Sequence, residues 1–358
     1  MEPWAAEGWG RALALGPFDL AAPLGAGGMG VVWKGAHRDQ GVPVAVKVIC
    51  EGWSEDDEAQ DAFQREVRAI AGLAHPGIVA VYDVGAVTAA TAAASRGRLV
   101  AGSPYLAMEL LPRGNLERLL PAIDWPLLRQ LALDLLDALG HAHAHGIVHC
   151  DVKPQNVLLS EGPGDRVAIK VTDFGVAHAL ASAAEEGEAL GPVSAGTPAY
   201  MPPEQLAGRW REYGPWTDLY ALGCMLWELA VGALPFRSGD LGELVRLHLY
   251  EAPPAFAPRF DAPPGLEGWL RRLLAKAPGD RFARCADAAW ALRGLDRGAH
   301  EFITWSKVQG RLAAGPAADP EQPTAVVPAR RMTTADRGAA TTMASDKLPA
   351  LAGPRARG

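Results

Sequence analysis

Two rhythms of apolar residues divide the chain. From Phe18 to about Glu109 they come in short runs: Val31-Val32-Trp33, Val44-Ala45-Val46, Ile78 to Val84 and Tyr105 to Met108. Short runs rich in β-branched and aromatic residues predict strands. Between them, around Ala59 to Leu73, Phe63, Val67, Ile70 and Leu73 recur at steps of three and four, the spacing of one helix face. This part therefore reads as a sheet with one helix. Residues 86–103, rich in Ala, Thr and Gly, read as a long hairpin loop. Beyond Leu116 long helical patterns dominate, as in Trp125 to His145 and Trp216 to Val231. After Asp296 the pattern fades. Residues 312–358 hold few large apolar side chains and cannot offset the entropy of ordering, which predicts a disordered tail. The expected division is a leader (1–17), a sheet-rich lobe (18–111), a helical lobe (112–296) and a largely disordered extension (297–358).

Composition narrows the classes. Nearly half of the 358 residues are hydrophobic, enough for a sizeable core. A net charge of -7 gives no general attraction to nucleic acid or anionic lipid. Cys50, Cys150, Cys224 and Cys285 lie far apart in sequence, which argues against a zinc ribbon or redox pair and fits a reducing compartment. The first residues lack a basic start followed by a long apolar core, so they make a poor signal peptide. The most apolar run, Leu219 to Phe236, contains Glu228 and is flanked by Asp218 and Arg237. It reads as a buried helix rather than a membrane span.

The chemistry sits at two places. Gly25, Gly27 and Gly30 follow Leu24 at GxGxxG spacing and lead into the strand pattern Val31-Val32-Trp33-Lys34. A dinucleotide-binding turn would open a helix there, so a glycine-rich hairpin that lets backbone approach phosphate fits better. Lys47 ends the apolar run Val44-Ala45-Val46, where the next strand would carry it under that hairpin. Its ammonium suits phosphates, and Glu66, on the expected helix, is a candidate to hold it. The second place is His149-Cys150-Asp151-Val152-Lys153-Pro154-Gln155-Asn156, followed by Thr172-Asp173-Phe174-Gly175. An aspartate can accept a hydroxyl proton, while an amide oxygen and a second carboxylate can hold a hard cation.

These motifs, with GTPAYMPPEQ and DLYALGCMLWEL after them, resemble the protein kinase superfamily, in particular the eukaryotic-like serine/threonine kinases of bacteria. The resemblance covers about Phe18 to Asp296 and implies the two-lobed α+β kinase fold, a small five-stranded antiparallel sheet with one helix and a larger, mainly helical lobe, with ATP and magnesium (or manganese) between the lobes and protein substrates. By resemblance, Gly25, Gly27 and Gly30 cover the phosphates, and Lys47 binds two of them while paired with Glu66. Asp151 accepts the substrate proton, Lys153 contacts the γ-phosphate, and Asn156 and Asp173 hold the metal. Val32, Ala45 and Leu158 enclose the adenine, with Leu24 at its edge, Met108 as gatekeeper and Glu109 to Leu111 as hinge. Ile70, Val81, His149 and Phe174 form a column joining the lobes. Glu204 pairs with Arg281, and Asp218 anchors the loop that carries Asp151. Lys153 and Thr197 favour serine and threonine over tyrosine. A bacterial, cytoplasmic signalling role is implied, with autophosphorylation. An inactive scaffold and a small-molecule kinase are the rival readings. The presence of Lys47, Asp151, Asn156 and Asp173 speaks against the first, and the GTPAYMPPEQ segment against the second.

The chain departs from the family at Cys150, where most members carry an arginine that grips a phosphorylated activation loop. A cysteine cannot make that charged, bidentate contact. The segment from Gly175 to Thr197 also carries Glu185, Glu186 and Glu188, so control by loop phosphorylation is not expected. Thr324, Thr333, Thr334, Thr341 and Thr342 make the tail a candidate for autophosphorylation and for docking phosphopeptide-binding partners.

Overall fold

The computed structural model describes residues 13–27, 30–49, 69–174, 198–296 and 302–314, all within one compact unit, Met1–Pro316. Its first part is built on an antiparallel sheet of six strands in the order β1-β2-β3-β4-β6-β5. These are β1 (Leu13–Leu15), β2 (Phe18–Gly27), β3 (Gly30–His37), β4 (Pro43–Ile49), β5 (Val81–Ala86) and β6 (Pro104–Glu109). The expected five strands gain a sixth, because Leu13 and Leu15 of the supposed leader alternate inward and pair with Leu20 and Phe18.

Strand β4 explains why Val44 to Ile49 is an almost unbroken apolar run, since both of its faces are covered. Val44, Val46 and Val48 join Phe18, Leu20, Trp33 and Tyr105 in one core, while Ala45 and Ile49 join Leu106 and Met108 in another. Lys47 lies on the second face. The β5–β6 connection, expected to be a hairpin loop, carries helix α1 (Ala89–Ala94). Alanine has the highest helix propensity, and Thr88 caps the helix by accepting from Thr91 N at 3.1 Å. Residues 69–71 are helical; the rest of the expected helix, with Glu66, lies outside the described residues.

The second part is helical. Helix α2 (Trp125–Ala144) starts at Asp124, whose carboxylate accepts from Leu127 N at 3.0 Å. It leads into the hairpin of β7 (Val157–Gly162) and β8 (Arg166–Val171). Helix α3 (Pro215–Val231) is buried on nearly every side, which accounts for its continuous apolar sequence. Gly232 ends it at φ 81°, a left-handed conformation that suits glycine. Helices α4 (Leu241–Tyr250), α5 (Leu266–Leu273) and α6 (Cys285–Leu295) complete the core. Among the described residues no helix is long and apolar enough to cross a membrane.

The expected boundary at residue 296 falls too early. Ile303 and helix α7 (Trp305–Ala314) pack onto the helical part, with Val308 fully buried. The remaining threonine-bearing tail lies outside the described residues.

Candidate active site

The hairpin of β2 and β3 carries the glycines. Gly27 pairs with Gly30, and Gly30 adopts φ 147°. A side chain at Gly30 would place its Cβ 2.0 Å from the Val48 carbonyl oxygen, so only glycine lets β3 approach β4 this closely. Gly25 meets nothing within 4 Å on that side, and Leu24 beside it is exposed. Beneath the hairpin, Val32, Ala45, Met108, Leu111 and Leu158 gather in one apolar cluster. These are the residues assigned by resemblance to the adenine and its surroundings. The Glu109 side chain turns elsewhere, accepting from Ala80 N at 2.8 Å and from Lys170 Nζ at 2.7 Å.

Lys47 pairs in register with Val32 on one side and Leu106 on the other, and is buried. A buried ammonium is costly unless paired. It is held by Asp173, with Nζ 2.9 Å from Oδ1. The expected partner Glu66 lies outside the described residues. Asp173 takes up φ 64°, unusual for a residue other than glycine but tolerated by aspartate. Its position follows from the chain on either side. Val79 N donates to Val171 O, Val171 N donates to Gly77 O, and Thr172 N donates to Asn156 O at 2.9 Å.

The loop between α2 and β7 is fixed from below by Asp218, at the start of α3. Its carboxylate accepts from His149 N and Cys150 N, each at 2.8 Å, and from His143 Nε2 at 2.7 Å. These bonds hold Cys150 at φ 63°, and Gln205 Nε2 secures the Cys150 carbonyl at 3.0 Å. A strained residue persists only where its surroundings over-determine it, and here both the N–H and the carbonyl of Cys150 are held. The His149 ring completes the frame. Its Nδ1 accepts from Asp151 N at 3.2 Å, so Nε2 carries the proton and donates to Thr172 O at 2.9 Å. Phe174 packs on that ring with centroids 4.6 Å apart. Phe174, Ile70, Val81 and Met108 line a cavity of about 20 Å³ that also touches Asp173, which brings the expected column together.

At the centre, Lys153 Nζ lies 2.7 Å from Asp151 Oδ2. Asn156 Nδ2 donates to the Asp151 carbonyl at 2.8 Å and to Oδ2 at 3.0 Å. With its nitrogen committed, Asn156 presents its amide oxygen elsewhere. That oxygen and the Asp173 carboxylate are hard donors of the kind that hold magnesium, so the residues fit such an ion. Glu204 and Arg281 form a fully buried bidentate pair at 2.7 and 2.9 Å. Thr197 lies outside the described residues.

His141, His143, His145 and His149 lie close together in the sequence. The fold gives them separate partners: His143 braces Asp218, His149 bonds Thr172, and His141 stacks between His75 and His145. The bracing roles of His143 and Gln205 were missed. They become visible only when α2, α3 and the Pro203–Leu206 turn meet beneath the loop.

Residues 18–287 match the protein kinase domain. The chain is 37% identical over 276 residues to serine/threonine-protein kinase Pkn1 of Myxococcus xanthus, covering 76% of this chain and 37% of Pkn1. It is 35% identical over 323 residues to serine/threonine-protein kinase PknA of Mycobacterium tuberculosis, covering 88% of this chain and 69% of PknA. It thus spans well under half of the first relative. The crystal structure of the Mycobacterium tuberculosis PknI kinase domain superposes with a TM-score of 0.59 at 27% identity, covering 80% of this chain and 98% of that one. A glycine hairpin over a buried lysine, facing a braced aspartate loop across a two-lobed fold, agrees with these matches: the chain belongs to the protein kinase domain family.

Proposed function

We propose that this chain transfers the γ-phosphoryl group of ATP to serine and threonine hydroxyls of proteins. The observation that carries the reading is the convergence of Lys47, Asp151, Lys153, Asn156 and Asp173 from both parts of the fold into one linked set. Lys47 and Lys153 supply positive charge for the phosphates. The substrate hydroxyl oxygen attacks the γ-phosphorus, the bond to the bridging oxygen of ADP breaks, and Asp151 takes the hydroxyl proton. Asn156 and Asp173 would hold the divalent ion, which neutralises phosphate charge when bound; magnesium is preferred to manganese here for its cellular abundance. The fixed loop contributes positioning and a preorganised field, the main sources of rate in such transfers.

Lys153 follows the serine/threonine pattern, and the names of the relatives agree with it. We place catalysis in the cytoplasm, where ATP is available. Incubation with labelled ATP, magnesium and a generic protein substrate should put phosphate on serine and threonine, and Asp151→Asn should remove it. Transfer to small molecules alone, or none by the folded protein, would overturn the reading.

Control is assigned away from the loop after Asp173. Cys150 offers no fixed charge to a phosphate there. The double variant Ser182→Ala/Ser194→Ala should therefore work at the rate of dephosphorylated wild type, within about threefold, or roughly 0.7 kcal/mol in the barrier. Mass spectrometry of the same ATP-treated samples should find phosphate on tail threonines, through which phosphopeptide-binding partners would dock. A folded double variant more than about tenfold slower, or a tail without phosphate, would count against the corresponding half of this assignment.

A further inference from the structure

Beyond residue 287 the chain leaves the region that matches the family, yet it returns to the domain and closes against it. Thr304 bridges to Arg166, and Val167 N donates to Ile303 O at 2.9 Å, so the segment pairs with the edge of β8. Gln130 of α2 is buried between them. It donates to Val167 O at 2.7 Å and accepts from Ile303 N at 2.8 Å. Helix α7 follows, and its Arg311 donates to Ala122 O and pairs with Asp124.

Trp305 is where this strap meets β7. Its indole N–H donates to the Ser160 carbonyl of β7 at 3.0 Å, and the Arg113 guanidinium lies over its ring, 4.7 Å from the centroid. Arg113 in turn pairs with Glu161, the neighbour of Ser160. The four residues form a closed knot between β7 and the chain that leaves the hinge. Ser160 stands two residues after Leu158 on β7, and Arg113 stands two residues after Leu111. The same two segments are also joined by Leu159 N to Gly114 O at 2.8 Å and by the Asn115–Leu158 bridge.

We infer that Trp305 is a positioning residue for the nucleotide site, through which the C-terminal strap sets affinity for ATP. It touches no nucleotide itself. It fixes the distance between the strand that floors the adenine and the segment that edges it, and this rests on the assignment of Leu111 and Leu158 to that pocket.

The test uses the full chain. Trp305→Phe keeps a ring under Arg113 and removes the N–H donor. Arg113→Gln removes the stack and the ion pair from a side chain that is one-third exposed. Each should raise the Kd and the KM for ATP about fivefold, the scale of one lost hydrogen bond or cation–π contact. Turnover at saturating ATP should stay within about twofold. Phe302→Ala, on the same strap but stacked on Arg166, should leave the KM for ATP unchanged. If the strap only holds the domain together, the variants will lower the melting temperature without moving KM, and the inference fails. An equal shift for Phe302→Ala overturns it too. Ala45→Trp separates the underlying assignment. If it abolishes ATP binding while Trp305→Phe and Arg113→Gln bind normally, only the strap inference falls. If Ala45→Trp binds ATP normally, the pocket assignment falls.

Discussion

Asp173→Asn should cut phosphoryl transfer by at least about a thousandfold, the scale of losing a key electrostatic group in an active site, and leave the fold intact. The exchange is nearly isosteric, and asparagine accepts the left-handed backbone of Asp173, φ 64°, as readily as aspartate does. Asp173 is one-quarter exposed at the cleft, so its carboxylate is not part of the packed core. What the variant removes is charge. The ion assigned to this site loses a carboxylate, and Lys47 loses the partner 2.9 Å away that offsets its burial. Turnover should be measured over a magnesium series, with thermal melting alongside. Wild-type turnover with an unchanged magnesium requirement would remove the metal-holding role. A steep fall in melting temperature would mark the residue as structural.

Arg281→Ala should have the largest effect on stability, a loss of about 3–5 kcal/mol, because it strands a buried charge. All five guanidinium N–H groups of Arg281 are used. Two go to the Glu204 carboxylate and the others to the carbonyls of Ala275, Trp216 and Lys276. Both side chains are fully buried. Among the described residues, the variant leaves the Glu204 carboxylate with Thr217 Oγ1, at 3.1 Å, as its remaining side-chain donor. Domains of this kind hold about 5–15 kcal/mol in total, so the loss brings the protein near its unfolding threshold. Arg281→Lys should recover little, since an ammonium has three donors and no planar fork. Urea unfolding checks this, and a loss below about 1 kcal/mol for the alanine variant would show that the pair contributes little. The position of the pair gives the loss a functional side. Glu204 belongs to the Pro203–Leu206 turn whose Gln205 holds the Cys150 carbonyl, so loosening it should reach the catalytic loop.

Local chemistry was legible in the sequence wherever a function needs particular residues at fixed spacing. The glycine run, Lys47 at the end of an apolar strand, the Asp151 to Asn156 loop and Asp173 before Phe174-Gly175 are contiguous signals. Backbone geometry over a few residues demands them, as Gly30 against the Val48 carbonyl illustrates. The long helices were legible for the same reason, because burial of one face or of all faces writes itself into spacing. Elements too short or too weakly patterned were not. Strand β1 is three residues long, below any useful alternation, and its place comes from pairing with β2. Ile303, Trp305 and Val308 do recur in α7 and the residues before it, but the tail around them is so poor in apolar residues that their signal was read as fading.

Tertiary structure alone decided which distant residues meet. The resemblance implied that Asp218 anchors the Asp151 loop, but nothing in the residues around it announces that its carboxylate will hold two backbone N–H groups and His143 together. Lys47 meets Asp173 only because the sheet closes over the β7–β8 hairpin. Trp305 reaches Ser160 and Arg113 only because residues after the matched domain fold back on it. The reason is common to all three. A side chain's chemistry and a segment's periodicity are local properties, carried by residue type and spacing. The partner of a buried charge, or of a strained peptide, is set by the packing of elements whose separation in sequence leaves no periodic trace.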